Sequence, residues 1–301
     1  MTSGQKRTLR QWIHDAAAQF DTAGLCFGHG TDNALDESAY LLSHALKTDF
    51  NFQGFNLDAP LSTAQEEAVT AIIKQRVETR QPAAYITHEA WFAGYPFYVD
   101  NNVLVPRSPL AELIEEHFQP WITEDKIHHI LELGTGSGCI AIACALHMQQ
   151  TRVDACDIDQ AAIEVAQKNV AKYALEQRVS LYQSDLFHDL PQKKYDIIIS
   201  NPPYVGQAEF DNLPEEYTHE PSLGLVAGED GLDCVRIILR EAVHYLQPHG
   251  ILIVEVGNSQ HALQQAYPKV PFTWLEFEHG GEGVFLLDAS QLTQYSDQFN
   301  N

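Results

Sequence analysis

The stretch Glu132-Leu133-Gly134-Thr135-Gly136-Ser137-Gly138 constrains the fold more than any other part of this 301-residue chain. It lies between an apolar run, 129–133, and a helical pattern beginning near Cys139, so it reads as the turn of a strand–turn–helix unit. Glycines at such a turn let the backbone approach a ligand closely at a helix N-terminus. Dinucleotide binders use G-x-G-x-x-G, whereas here the glycines run G-x-G-x-G and Cys139 stands where the last one would be. That spacing argues against a nicotinamide dehydrogenase.

Beyond this turn, short apolar strands alternate with helical patterns, at 152–157, 179–184, 196–200 and 251–256. The alternation predicts an α/β fold with a largely parallel sheet and helices on both faces. Two later runs, 272–277 and 284–287, are joined by a short connection that suits an antiparallel pair. Asp157 ends the second strand about twenty residues after Gly138, a place from which a carboxylate can accept hydrogen bonds from both ribose hydroxyls of a nucleoside. A glycine turn alone, or an aspartate at a strand end alone, is ordinary structural punctuation. Their ordered recurrence in one βαβ unit points to a cofactor site.

The first ninety or so residues are helical in pattern. Leu9, Ile13, Ala16 and Phe20 recur at helical spacing, as do Leu35, Leu42 and Leu46. Ser62-Thr63-Ala64-Gln65 has capping-box spacing, followed by the stripe Val69, Ile72, Ile73 and Val77. Residues 91–105 change to aromatic and β-branched types around the turn cluster Asp100-Asn101-Asn102, which reads as a hairpin between domains. The expected organisation is a helical domain at 1–89, a hairpin connector at 90–106, the α/β domain at 107–289 and a loose polar tail at 290–301.

Composition narrows the function. The formal charge of −23 repels a phosphate backbone and favours basic partners, so no direct nucleic-acid binding is expected, although solubility alone accounts for the acidity equally well. The longest apolar run, 139–146, is far shorter than a bilayer requires, and the basic residues near the start lead into a polar stretch. A soluble, cytoplasmic protein is expected, with no membrane association. Five cysteines without C-x-x-C spacing fit free thiols, and His128-His129 and His88-Glu89 lack second ligands at helical spacing, so no metal is expected.

Asn201-Pro202-Pro203-Tyr204 directly follows the fourth strand and so falls at the carboxyl edge of the sheet, where α/β proteins bind ligands. An isolated tetrapeptide of this kind is usually a tight turn. One strand beyond a cofactor unit, it resembles the motif of enzymes that methylate planar nitrogens. An amide nitrogen is a feeble nucleophile because its lone pair is delocalised into the carbonyl. The Asn201 side-chain carbonyl and the Pro202 backbone carbonyl offer two acceptors for the two N–H bonds of such an amide. Positive charge grows on nitrogen during methyl transfer, so these acceptors bind the transition state better than the ground state. Tyr204 can stack on the flat amide and face the cationic centre, and Pro202 and Pro203 restrict the loop. The N-protonated product amide is a strong acid, so no dedicated base is required.

Together with Pro82-Ala83-Ala84-Tyr85-Ile86, Val105-Pro106-Arg107, Glu220-Pro221 and Asp230-Gly231-Leu232, these motifs resemble those of the bacterial protein-glutamine methyltransferases over about 82–287. The resemblance implies a Rossmann-like class I methyltransferase sheet, mostly parallel with a late antiparallel strand, carrying an N-terminal helical domain and a hairpin. It implies S-adenosylmethionine as cofactor, held by Glu132, Gly134, Thr135, Gly136, Gly138, Asp157, Asp185, Leu186 and Asn201, with Leu186 or Phe187 beside the adenine. Asn201, Pro202, Pro203 and Tyr204 would form the catalytic motif. Release-factor enzymes of this family carry R-P-x-T-E after the hairpin; this chain has Arg107-Ser108-Pro109-Leu110-Ala111-Glu112 and, later, Gly280-Gly281-Glu282-Gly283-Val284-Phe285. Both resemble the members that modify a basic protein of the large ribosomal subunit, the third. Release-factor methylation, nucleobase methylation and a non-catalytic ribosome-assembly role are the alternatives. Arg107 reads equally as a substrate neighbour or a surface residue, and the acidic segment 209–233 as a docking face for a basic protein or a solvated loop.

Overall fold

The computed structural model describes residues 6–49 and 52–300. The first five residues of the leading segment, on which the expectation about a leader partly rests, lie outside the described residues. The chain divides into two compact units: Met1–Ala90 together with Pro214–His219, and Trp91–Leu213 together with Glu220–Asn301.

The first unit is a helical bundle of α1 (Leu9–Thr22), α2 (Ala34–Ala45), α3 (Thr63–Thr79) and the short α4 (Ala83–Thr87). The capping box at Ser62 and Gln65 forms as its spacing predicts, and Thr8 and Gln11 make a second one. Leu9, Ile13, Ala16, Phe20, Leu42, Val69, Ile72 and Ile73 build its core. Leu35 does not join them: it is exposed, and Leu41 takes the inward position beside Leu42. Leu35 and Leu42 are seven residues apart and share a face of α2, but Leu35 lies in the first turn of the helix, a position that the spacing alone does not reveal. One buried cation organises this bundle. Arg76 Nε donates to Glu37 Oε1 at 2.7 Å and its Nη2 to the Cys26 carbonyl at 3.0 Å. Glu216, brought in by the returning segment Pro214–His219, accepts from Cys26 N and pairs with Arg80 at 2.8 Å. That return was not foreseen from the sequence.

Between α4 and the second sheet runs a hairpin of β1 (Glu89–Phe92) and β2 (Tyr95–Tyr98). Its turn is Ala93-Gly94, not the expected Asp100-Asn101-Asn102. Both turn residues have positive φ, 46° and 81°, as a tight two-residue hairpin requires, and glycine adopts that conformation without cost. The Asp100 side chain instead accepts from Asn102 N at 3.0 Å, a local turn that redirects the chain after the hairpin.

The second unit continues with α5 (Leu110–Glu115), β3 (His129–Leu133), α6 (Cys139–His147), β4 (Arg152–Asp157), α7 (Gln160–Lys172), β5 (Val179–Gln183), β6 (Tyr195–Ser200), α8 (Gln207–Phe210), α9 (Asp233–Glu241), β7 (Leu246–Glu255), α10 (Gln260–Ala266), β8 (Thr273–Trp274), β9 (Val284–Asp288), α11 (Ala289–Gln294) and α12 (Ser296–Phe299). Its sheet runs β5-β4-β3-β6-β7-β9-β8; the first five strands are parallel, and β9 is antiparallel to both its neighbours. Side chains alternate between two cores, as pleating demands. Ile130, Ile197, Ile199, Ile251 and Ile253 face α5 and α6 residues on one side. Leu131, Leu133, Ile198, Leu252 and Val254 face α9, α10 and α11 on the other. The expected run 272–277 is a strand over only two residues, whereas β7 begins five residues earlier than its apolar stretch. The tail is not loose: α11 and α12 bury Leu292 and Phe299 in the second core. No helix among the described residues is long and apolar enough to cross a membrane.

Candidate active site

Strand register gathers the site at one edge of the sheet. Leu133 pairs with Cys156 on one side and Ser200 on the other, and Ser200 pairs with Val254. The residues that follow, Gly134, Asp157, Asn201 and Glu255, therefore emerge side by side at the carboxyl ends of four parallel strands. The chain order reverses between β3 and β6, which opens a crevice where doubly wound sheets bind ligands.

The glycine turn is tied down from several directions. Gly134, Gly136 and Gly138 have φ of 72°, 52° and 80°, a region that side-chain-bearing residues rarely adopt. Gly136 N donates to Asp157 Oδ2 at 2.8 Å, and Asp157 Oδ1 accepts from Asp159 N. Each carboxylate oxygen keeps a second lone pair, so Asp157 can still receive hydroxyl donors. A Cβ on Gly138 would lie 3.2 Å from that of Ala166, so this last glycine lets α6 and α7 pack closely. Asn169, fully buried on α7, donates to the Ser137 carbonyl at 2.8 Å and exchanges hydrogen bonds with the Tyr98 backbone. It fixes the turn against β2, a role that sequence reading had not given it.

Glu132 lies wholly buried beneath the turn. Its Oε2 accepts from Thr135 Oγ1 at 2.6 Å and from Ala141 N at 2.9 Å, while Oε1 is buried without a hydrogen-bond partner. Burial raises its pKa to about 8, against the pull of those two donors. A buried carboxylate in this condition is receptive to a cation.

Asp185 stands two residues beyond the end of β5 and is exposed; Leu186 is half-buried with φ of 49°. Phe187 turns away from the crevice into the second core and stacks on Tyr245 with ring centroids 4.7 Å apart. Leu186 packs against the same core but, unlike Phe187, is only partly buried.

Asn201-Pro202-Pro203-Tyr204 backs onto the glycine turn: a Cβ on Gly134 would come within 4.0 Å of both the Asn201 carbonyl oxygen and Pro202 Cα. The Tyr204 ring packs over Gly257, where a Cβ would approach Cε2 to 2.6 Å. Its hydroxyl donates to Glu255 Oε1 at 3.1 Å, and its carbonyl oxygen accepts from Ser259 Oγ at 2.7 Å. Ser259 also reaches the Asp230 carbonyl, which seats Asp230-Gly231-Leu232 against the motif.

Glu255 was missed by sequence reasoning, although a carboxylate closing an otherwise apolar strand at the carboxyl edge of the sheet was a visible signal. Ser108 Oγ donates to its Oε2 at 2.5 Å, Tyr204 to its Oε1, and the Asn201 side chain is a weaker third hydrogen-bonding neighbour. Burial raises its pKa to about 7 despite these donors and the nearby Arg107. Arg107 itself makes a bidentate pair with buried Glu220, at 2.8 and 2.6 Å, and Glu220 Oε1 also accepts from Val105 N. Of the two readings of Arg107, neither describes this interior clamp, which also accounts for the Glu220-Pro221 motif.

The two segments that set this chain apart within its resemblance touch one another. Glu112 accepts from Glu278 N and His279 N, and a Cβ on Gly281 would meet Pro109 at 2.7 Å. Much of the acidic segment 209–233 is already paired inside the chain, through Glu209 with Asn258, Glu215 and Glu216 with Arg80, and Asp230 with Arg236.

A seven-stranded sheet of this order, with its late antiparallel strand and a glycine turn beside Asn201-Pro202-Pro203-Tyr204, defines a class I methyltransferase of the Rossmann-like type. Two family models and the curated relatives agree. Residues 111–219 match the methyltransferase small domain family, and residues 11–87 match the PrmC N-terminal domain. A protein of Neisseria meningitidis serogroup B named ribosomal protein uL3 glutamine methyltransferase is 48% identical over 95% of this chain and 94% of its own. One of the same name from Francisella tularensis subsp. tularensis is 42% identical over 97% of this chain and 93% of its own. A methyltransferase structure from Pyrococcus furiosus is 17% identical, with a TM-score of 0.46, covering 64% of this chain and 88% of its own. The chain belongs to the protein-glutamine methyltransferase family.

Proposed function

We propose that this chain transfers a methyl group from S-adenosylmethionine to the side-chain amide nitrogen of a glutamine in ribosomal protein uL3, in the cytoplasm. The observation that supports the chemistry is the adjacency of the glycine turn and the motif, where a Cβ on Gly134 would come within 4.0 Å of the Asn201 backbone carbonyl oxygen and Pro202 Cα, so that a cofactor at the turn and an amide at the motif would share one crevice. The substrate follows from the names and similarity of the relatives, which span nearly the whole chain.

The residues present fit the cofactor. The partnerless buried oxygen of Glu132 suits the ammonium of its amino acid part, the tight turn at Gly134, Gly136 and Gly138 allows close approach, and Asp157 retains acceptor capacity for ribose hydroxyls. Asp185 and Leu186, which follow β5 at the same sheet edge, would take the adenine. When bound, S-adenosylmethionine supplies an electrophilic methyl group. The chain does the rest: the Asn201 side-chain carbonyl and the Pro202 backbone carbonyl accept the two amide N–H bonds, which aims the nitrogen lone pair. As nitrogen becomes cationic those two hydrogen bonds strengthen, so they lower the barrier more than they bind substrate. Pro203 restricts the loop, and the Tyr204 ring, held over Gly257, presents a flat apolar wall beside the amide.

The test is peptide mass spectrometry of ribosomal proteins and release factors from cells with and without this gene. Loss of one methyl group from a uL3 glutamine is the expected outcome. Loss from a release factor instead would keep the chemistry and overturn the substrate; no change in either would overturn both.

A further inference from the structure

Glu255 lies behind the transfer motif, where it joins three segments that are distant in sequence. Its carboxylate accepts from the Ser108 hydroxyl, on the stretch after the hairpin, and from the Tyr204 hydroxyl of the motif after β6; the pairing of Ser200 with Val254 brings Asn201 out beside it, as a weaker neighbour. An asparagine side chain has one acceptor end and one donor end of almost equal size, and only its hydrogen-bond partners decide which way it faces. An acceptor-only carboxylate beside Asn201 takes the NH2 end.

We propose that Glu255 is the positioning residue of the transfer site: in its ionised form it draws the Asn201 NH2 group, the Tyr204 hydroxyl and the Ser108 hydroxyl toward itself, so that the Asn201 carbonyl oxygen is left facing the substrate amide. This rests on the reading of Asn201 as a substrate acceptor. Reversing the Asn201 amide would present a donor to the substrate's own N–H groups, which repels the ground state and more strongly the cationic transition state. Ser108 has a particular place here. It stands where the release-factor pattern has proline, which has no side-chain donor, so this arm of the arrangement distinguishes the present chain from that pattern.

The charge state of Glu255 sets when the arrangement holds. Protonated, the carboxyl carries a hydrogen on one oxygen and loses its charge, which weakens its hold on the donors at its two oxygens, Tyr204 at Oε1 and Ser108 at Oε2. The groups facing it are Arg107, which favours the ionised form and is itself held by Glu220, and the Tyr204 hydroxyl; β9 contributes only Val284 opposite it in the ladder. With the pKa raised by burial to about 7, the productive form is lost as pH falls through neutrality.

The experiment measures kcat, kcat/KM for uL3 and cofactor affinity by calorimetry from pH 5.5 to 9, in the native chain and in Asn201→Ala, Glu255→Gln, Glu255→Asp and Ser108→Ala. The native kcat/KM, which reports the free enzyme, is expected to show an acid limb near pH 7. Glu255→Gln lowers kcat by about tenfold or more and removes the limb, with cofactor affinity unchanged; Glu255→Asp recovers part of the rate. Ser108→Ala, which removes one donor to the ionised form, moves the limb to higher pH and provides the answer if Glu255→Gln fails to fold. If Asn201→Ala is inactive but Glu255→Gln keeps native kcat and limb, or Ser108→Ala leaves the limb in place, the positioning role is wrong. If Asn201→Ala itself retains full turnover, the reading of the site on which it rests fails first.

Discussion

The carbonyl oxygen of Tyr204 occupies the space that a side chain on Gly231 would need, 2.1 Å from the ideal Cβ position. Ser259 Oγ lies 2.2 Å from the same point, and Gly231 has φ of 76°. Glycine in Asp230-Gly231-Leu232 is thus dictated by the back of the transfer motif, although it touches no reacting atom. Gly231→Ala must displace Tyr204 or break the Ser259 bridge. The expected result is a loss of turnover of about tenfold or more, because small misplacements of aligned groups are costly, with cofactor affinity nearly native. Steady-state kinetics with calorimetry checks this; native turnover in the variant would show that the motif tolerates movement.

Asn201 and Asp157 lie at the ends of neighbouring functions and should separate on mutation. Asn201→Ala removes a substrate acceptor and is expected to lower kcat by at least about tenfold while cofactor binding changes little. Asp157→Ala removes the acceptor of Gly136 N and the proposed ribose partner, so the cofactor dissociation constant should rise before kcat at saturation is affected. Equilibrium binding and saturation kinetics on the two variants read this split directly. Equal effects on both quantities from both substitutions would mean that the turn and the motif act as one unit.

The buried carboxyl of Glu132 makes the cofactor-free protein sensitive to pH. Its folded pKa, raised by burial to about 8, lies above the unfolded value near 4.5, so the folded state binds the proton more tightly. The stability it contributes is complete below the unfolded pKa and is lost as pH rises through the folded one. Glu255 and Asp157 shift in the same direction, for the same reason of burial. The urea-unfolding stability of the native chain is therefore expected to fall from about pH 5 to about pH 8 more steeply than that of Glu132→Gln, by up to about 1.4 kcal/mol per pH unit, and to level off above that. Parallel slopes for the two proteins would show that Glu132 ionises freely.

Much of this architecture was legible because the residues that specify it are local. The bounds of β3 and β4 follow from short apolar runs ending at a turn, and the glycine turn, Asp157 and the tetrapeptide after β6 each carry their chemistry within a few residues. Features depending on distant partners were not legible. Glu255 and Ser108 are 147 positions apart, and in sequence the glutamate only ends an apolar strand. The hairpin turn was misplaced because Asp100-Asn101-Asn102 has the composition of a turn and is one, while Ala93-Gly94 owes its turn to backbone conformation. The helices of the tail begin with a capping box between Asp288 and Gln291, a local signal that was overlooked, but bury only Ala289, Leu292 and Phe299, too few to form a periodic stripe.

Arg76 was hidden by its residue type: it falls on the stripe of Val69, Ile72 and Ile73, seven, four and three residues before it, but a charge there gives no sign of Glu37 and Glu216, the distant partners that let it be fully buried. Removing a buried cation strands its carboxylates, whereas removing both members of a buried pair together leaves no uncompensated charge. Arg76→Met is therefore expected to destabilise the protein by about 3–5 kcal/mol, since among the described residues Glu37 then keeps Thr31 alone as a side-chain donor. Adding Glu37→Leu should restore more than half of that loss, because Glu216 retains Arg80 and the Cys26 amide. A double-mutant cycle on urea unfolding of the full chain measures the coupling. Strict additivity of the two substitutions would mean that the Arg76–Glu37 pair contributes through packing alone.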